Sequence, residues 1–316
     1  MKNKPSVCIG HLRVVDHLIL GFVDRQLKTK KRDMTHSNLE IKPMNAWEQV
    51  SDRLKEGSLD GAFIPAPLAM NLFASGLDIR LLMFVHRSGS LIVKKRNPEI
   101  KSIKDFQGKT VLVSSKLSIQ NMLLHRLLSS VKLKPGTHED TRADVIIETA
   151  NPSLMNEMLA NDPDNDIAGV TVAEPFGSEA IFNGLASKIC TSQTLWQNHP
   201  CCVFVLKTSF IKQDSKAVQE IVDLFIHAGQ HIENTPKNKM VSLSHDFLDQ
   251  KKEIVEKVLL KTNISYKPSL LVPDIDALNI IQNYMADVMG VLKNKIEITD
   301  FVDNSFILDT ISENRL

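Results

Sequence analysis

Ser114, Ser115 and Ser118 gather where an apolar strand pattern over residues 109–113 gives way to a helical one. Free backbone N–H groups and the helix dipole at such a junction attract an anion, and hydroxyls add donors without fixed charge. Ser118 fits plain helix capping equally well, and one side chain can serve both ends. Ser88 and Ser90, in the run SGS after Arg87, pose the same choice between a ligand contact and the small residues of a turn. Glu174 is the sharpest single candidate: its carboxylate could meet an ammonium group or a ring nitrogen. Its other reading is first-turn charge on the helix that Pro175 opens. Arg13, Asp16 and His17 follow the first strand and are candidate ligands or caps, Asp16 reading first as an N-cap. His199 is a candidate donor. Trp47, one of two tryptophans, offers either a flat cleft wall with one N–H or ordinary core packing.

Metal chemistry is not expected. Ten histidines are scattered, with a single H-x3-H spacing at His227 and His231 and no E-x-x-H. Cys201 and Cys202 are adjacent, and on one strand their side chains should point to opposite faces. With Cys8 and Cys190 they read as buried thiols, a Cys190 bridge being the alternative. No cofactor is implied, and no nucleophile–base pair or glycine-rich phosphate loop marks an enzyme.

The elements that must position these residues are legible in the chain. Asn45 and Glu48 form a capping-box pattern; Trp47, Val50 and Leu54 mark one helical face, and Gly57 stops it. A short strand over 59–64, a helix opened by Pro65 or Pro67, and a strand over 79–85 follow. Helix and strand alternating across short loops favour a parallel sheet covered by helices. Further strands read at 6–12, 39–43, 91–93, 109–113, 145–147, 167–172 and 201–206. Beyond residue 213 the chain turns helical, at 214–233, 239–248, 251–261 and 274–292. The first and last thirds should therefore share one lobe (1–90 and 205–316), with 91–204 forming the other.

Composition agrees with a globular α/β protein: 316 residues, 43% apolar and 24% charged. A net charge of +1 gives no basic excess for nucleic acid, and no apolar run reaches the roughly 18 residues of a membrane span. The N-terminus has no signal-peptide pattern, which points to the cytoplasm, or to the periplasm if a leader has been removed.

Trp47, Leu54, Gly57 and Asp60-Gly61-Ala62 form a pattern that resembles the nitrate, sulfonate and bicarbonate (taurine-like, NMT1/THI5-like) binding family of ABC transporters. Pro65-Ala66-Pro67, HRSGS at 86–90, AEPF at 173–176 and FVDNSF at 301–306 resemble the same family. The resemblance implies a two-lobed periplasmic-binding-protein fold of type II, with two hinge strands and a helical C-terminal tail. It implies a non-catalytic protein that captures a small anion or zwitterion between its lobes for an ABC permease. The alternatives on this fold are a cytoplasmic ligand sensor or an enzyme of pyrimidine or menaquinone-precursor metabolism. In open α/β sheets ligands sit beyond the carboxyl ends of the strands, which adds Pro65 and Ala66 to the candidates above.

Overall fold

The computed structural model describes residues 4–261 and 264–312. In chain order the first strands are β1 (Ser6–Leu12), β2 (Asn38–Met44), β3 (Gly61–Pro65), β4 (Ile79–Phe84) and β5 (Ser90–Lys95). They are followed by β6 (Thr110–Val113), β7 (Pro135–Gly136), β8 (Val145–Thr149), β9 (Ile167–Ala173), β10 (Ala186–Thr191) and β11 (Cys202–Lys207). They form two sheets, ordered β2-β1-β3-β11-β4 and β10-β5-β9-β6-β8-β7. Each sheet is the centre of one lobe.

The expectation of parallel sheets is corrected at two strands, β11 and β5. β1 pairs in parallel with β2 and β3, but β11 runs antiparallel to both β3 and β4. In the other sheet β5 runs antiparallel to β9 and to β10. The start of β11 therefore lies beside the ends of β3 and β4, with Cys202 opposite Pro65 and Val203 opposite Phe84. Likewise Ser90 opens β5 opposite Ala173, where β9 ends. Residues that begin a strand are thus delivered to the same sheet edge as residues that finish one.

The helix Trp47–Glu56 buries Trp47, Val50 and Leu54, as the periodicity predicts, and Gly57 ends it in the left-handed region at φ 84°. The Asn45 capping box does not form. Ala46 takes the cap position without a side-chain bond, and the Asn45 N–H donates instead to Gln49 Oε1 at 3.1 Å. Asp16 is no cap either: the short turn Val15–His17 and the helix Leu18–Lys28 are both capped without it. The expected helix over 274–292 is shorter, running Ile275–Asn283 and then one wide turn, Tyr284–Val288.

Between β4 and β5 the chain passes from one sheet to the other, and it returns between β10 and β11. The two crossovers lie side by side: Ser88 N–H donates to His199 O at 3.0 Å, and Val85 N–H to Cys202 O at 3.1 Å. A third segment joins them, since Arg87 and Ser265 exchange backbone bonds of 2.9 and 3.2 Å. The lobes also touch away from the crossovers, through Val15 N–H to Glu174 O at 2.8 Å and the His125–Tyr284 side-chain bond at 2.9 Å. Ile119, Met122, Leu123 and Ala173 of the second lobe pack into the core of the first. This is a closed arrangement.

Close sheet packing makes one glycine indispensable. A Cβ on Gly169 in β9 would lie 2.2 Å from the Val93 carbonyl oxygen of β5. Gly169→Ala is expected to cost about 2–3 kcal/mol, read as a lower urea midpoint with an unchanged slope.

Candidate functional site

The strand edges that face each other across the lobes gather a layer of buried polar groups. Asp16 comes from the turn after β1, His86 and Ser88 from the first crossover, and His199 and Cys201 from the second. Gln120, in the first turn of the helix Ile119–Ser130, reaches into the layer from the second lobe. Its Nε2 donates to Ser90 Oγ at 3.0 Å and contacts Cys201 Sγ at 3.4 Å. Ser90 N–H in turn donates to Ser192 Oγ at 3.2 Å. His86 Nε2 stands 3.3 Å from Asp16 Oδ2 and accepts the Cys202 N–H at 3.2 Å. Several atoms of this layer, Asp16 Oδ1, His86 Nδ1, Gln120 Oε1 and His199 Nε2 among them, are buried without a partner. Buried polar atoms left so are uncommon and call for an explanation such as an ordered water or an ion.

Burial pushes the Asp16 carboxyl well up, against the pull of His86. Burial draws His86 down, but the Asp16 carboxylate and the Cys201 sulfur outweigh it and leave the imidazole raised. His199 is drawn down by burial.

Next to this layer lies a cavity of about 350 Å³, lined by Gly89, Ser90, Glu174, Ser178, Thr191 and Ser192 and edged by Lys188, Lys257 and Lys261. Lys257 belongs to the helix Lys252–Lys261 of the first lobe and lies over the Phe182 ring of the second, 4.3 Å from its centre. The cavity is therefore walled by both lobes. A smaller recess of about 200 Å³ holds Arg13, Asn45 and Asn151, but Arg13 there is exposed and ion-paired to Asp249 at 3.3 Å. The larger cavity combines serines, lysines and both lobes, and is the better ligand chamber.

The candidates from sequence separate into groups. Ser90 and Glu174 line the chamber. Glu174 is also engaged locally, its carboxylate accepting the Ser178 hydroxyl at 2.6 Å and the Ser178 N–H at 2.9 Å, with burial raising its pKa. Asp16 and His199 belong to the buried layer. Ser115 and Ser118 are committed to the helix start: Ser118 Oγ accepts from Asn121 N–H at 3.1 Å and donates to Ser115 O at 2.7 Å. Ser114 is buried beside them. Ser88, at φ 61°, ties the crossover to Gln193. The Ala66 N–H after Pro65 is taken by Cys201 O at 2.9 Å, so that helix start has lost a donor. His17 and Trp47 are core residues, the two rings meeting edge-on at 5.9 Å.

Sequence reasoning missed His86, Gln120, Cys201 and the three lysines. Its argument that Cys201 and Cys202 diverge is corrected. Cys201 lies one residue before β11 and escapes strand alternation, so the donor atoms of Asp16, His86, Cys201 and Cys202 all fall within 4.8 Å of one another. The described cysteines, Cys190 included, are free thiols.

Residues 1–244 match the profile of the NMT1-like family. The chain belongs to the NMT1-like family. Among curated relatives, the nitrate/nitrite binding protein NrtA of Nostoc is 24% identical over 254 residues, 73% of this chain and 55% of that protein. The nitrate import ATP-binding protein NrtC of Synechocystis is 25% identical over 249 residues, 73% of this chain and 36% of that protein. The NMT1-like chain thus spans only a third to a half of these relatives. A Staphylococcus aureus structure, described as the ligand-binding component of an ABC-type import system with zinc bound, superposes with a TM-score of 0.84. It is 21% identical and the match covers 97% of this chain and 99% of that one. The periplasmic nitrate-binding protein NrtA of Synechocystis gives 0.81 at 16% identity, covering 98% and 88%. These likenesses establish the two-lobed binding-protein fold. Among the described residues no helix is long and apolar enough to cross a membrane.

Proposed function

We propose that this protein is a solute-binding component of an ABC import system that closes its lobes over a small anion. The observation that carries this reading is the chamber walled by both lobes, with serine hydroxyls inside and Lys188, Lys257 and Lys261 at its edge. Three cations facing one buried carboxyl, itself raised toward its neutral form, select a negatively charged group over a positive one. Nitrate, bicarbonate and alkanesulfonate, the solutes named for relatives and structural neighbours, share that chemistry. The ligand favours closure because its contacts come from both walls, and only such differential contact can shift an open–closed equilibrium. Closed lobes present the shape that a permease reads, and work for an importer places the protein outside the cytoplasmic membrane.

Lys257→Ala with Lys261→Ala is expected to weaken binding of the cognate anion about tenfold and to flatten its salt dependence. Calorimetric titration at two ionic strengths reads both effects. Equal affinity in the double variant would remove this chamber as the site.

A further inference from the structure

We propose that Asp16, His86, Cys201 and Cys202 form a binding site for one thiophilic divalent cation of the zinc class, which ties the turn after β1 to both crossovers. The four side chains come from three separate segments, and none is more than 1% exposed. Their donor atoms lie within 4.8 Å of one another. Tetrahedral zinc with bonds near 2.0 Å to oxygen and nitrogen and 2.3 Å to sulfur requires donor edges of about 3.3 Å between N and O and about 3.8 Å between two sulfurs. His86 Nε2 and Asp16 Oδ2 already stand at 3.3 Å, and Cys201 Sγ and Asp16 Oδ2 at 4.0 Å. The widest pairs of the cluster need to contract by up to about 1 Å.

The donor set selects the metal. Two thiolates, an imidazole and a carboxylate suit zinc and exclude magnesium and calcium, which take oxygen ligands. The cluster also leaves polar atoms without partners as it stands. His86 Nε2 accepts the Cys202 N–H and stands 3.3 Å from Asp16 Oδ2, while Asp16 Oδ1 has no partner. Without a cation, three acidic groups buried together must keep their protons. With one, those protons are released and the donor atoms turn to the cation, His86 Nε2 exchanging the Cys202 N–H for it. A thiol nucleophile activated by His86 is the rival reading, and binding of one equivalent of metal with a thiolate-to-metal band separates the two. The site lies at the crossovers, so the cation enters as the lobes part. The inference does not depend on which anion the chamber holds.

The test uses the full chain carrying Cys8→Ser and Cys190→Ser, reduced, stripped with a chelator and titrated with Co²⁺ under anaerobic conditions. Expected are one equivalent bound, a thiolate-to-cobalt charge-transfer band, tetrahedral visible bands, and displacement by Zn²⁺ but not by Mg²⁺. Affinity should rise with pH, with protons released on binding. Cys201→Ser and Cys202→Ser should each weaken binding more than about 100-fold, with folding checked by circular dichroism. Asp16→Asn, which keeps size and fold, should weaken cobalt binding while retaining the thiolate band. A folded, reduced chain without a charge-transfer band would overturn the proposal, as would a band and affinity left unchanged by Cys201→Ser or by Cys202→Ser alone. A purified chain two hydrogens light, with Cys201 and Cys202 joined to each other, would also overturn it.

Discussion

His86→Ala lowers the unfolding free energy of the metal-free protein by about 3–5 kcal/mol, the range for a buried pair that loses one member. The imidazole has two partners to lose, Asp16 Oδ2 at 3.3 Å and the Cys202 N–H at 3.2 Å. Their directions, Asp16 raised by burial and His86 raised by its neighbours in spite of burial, describe two groups that hold protons in common. Removing the ring strands a carboxyl and a backbone N–H in a dry layer, each at the cost of an unmade hydrogen bond. It also empties volume at the point where both crossovers meet. Asp16→Asn is the control: an amide keeps the size and leaves the Cys202 N–H bonded to His86 Nε2, so its cost stays under about 2 kcal/mol. Urea titrations of both variants measure the asymmetry. Equal costs would show that the imidazole is not the centre of the junction.

A pH effect nearly as large comes from His11. Burial first, with Arg13 adding to it and the Leu12 carbonyl and Asp24 opposing, pushes this imidazole down to about 4. Its ring stacks on Phe247 at 5.0 Å, and Nδ1 shares the Leu12 carbonyl with Nδ1 of His17, at 2.8 and 2.9 Å. In the unfolded chain it titrates near its ordinary 6.5. Between those values the unfolded chain takes up a proton that the folded chain refuses, so stability is whole above 6.5 and is lost as pH falls toward 4. The loss is about 2.5 kcal/mol on going from roughly pH 7.5 to 4.5. His17 and His199, also pushed down by burial, act with the same sign. Asp16 and Glu174, pushed up by burial, act with the opposite sign, their cost growing as pH rises above the ordinary carboxyl range. The total slope mixes these groups, and the difference between the wild-type chain and His11→Gln isolates one. The variant should lose about 2.5 kcal/mol less over that interval; parallel curves would show that His11 is not buried neutral.

The alternating helices and strands of the first third were legible because their signals are local. The Trp47, Val50, Leu54 stripe and the Gly57 stop need no knowledge of the rest of the chain. Strand direction was not legible: CCVFVL is equally apolar whichever way it runs, and the antiparallel course of β11 is fixed by where the second lobe returns the chain. That one unread fact hid Cys201, whose position at the sheet edge follows from β11 starting there. Asp16 illustrates a different limit. A carboxylate ahead of an apolar helix reads as a cap from local chemistry, whereas its real partner, His86, is 70 residues away in sequence. Lys257 and Lys261 gave no signal because a lysine on an amphipathic helix looks the same beside solvent as beside a chamber. The helix expected to run to 292 breaks after the turn at Tyr284–Val288, followed by Gly290 at φ 65°. The apolar pattern through Val291 and Leu292 continues across that break and conceals it.

Calorimetric titration of nitrate, bicarbonate and alkanesulfonates, with small-angle scattering on the same samples, tests the central claim most directly. The account predicts that one of these anions binds with 1:1 stoichiometry, reduces the radius of gyration and is recovered unchanged. It predicts that neutralising Lys188, Lys257 and Lys261 together abolishes both heat and compaction. Consumption of the bound compound, or compaction by a cationic solute that survives loss of the three lysines, would contradict it.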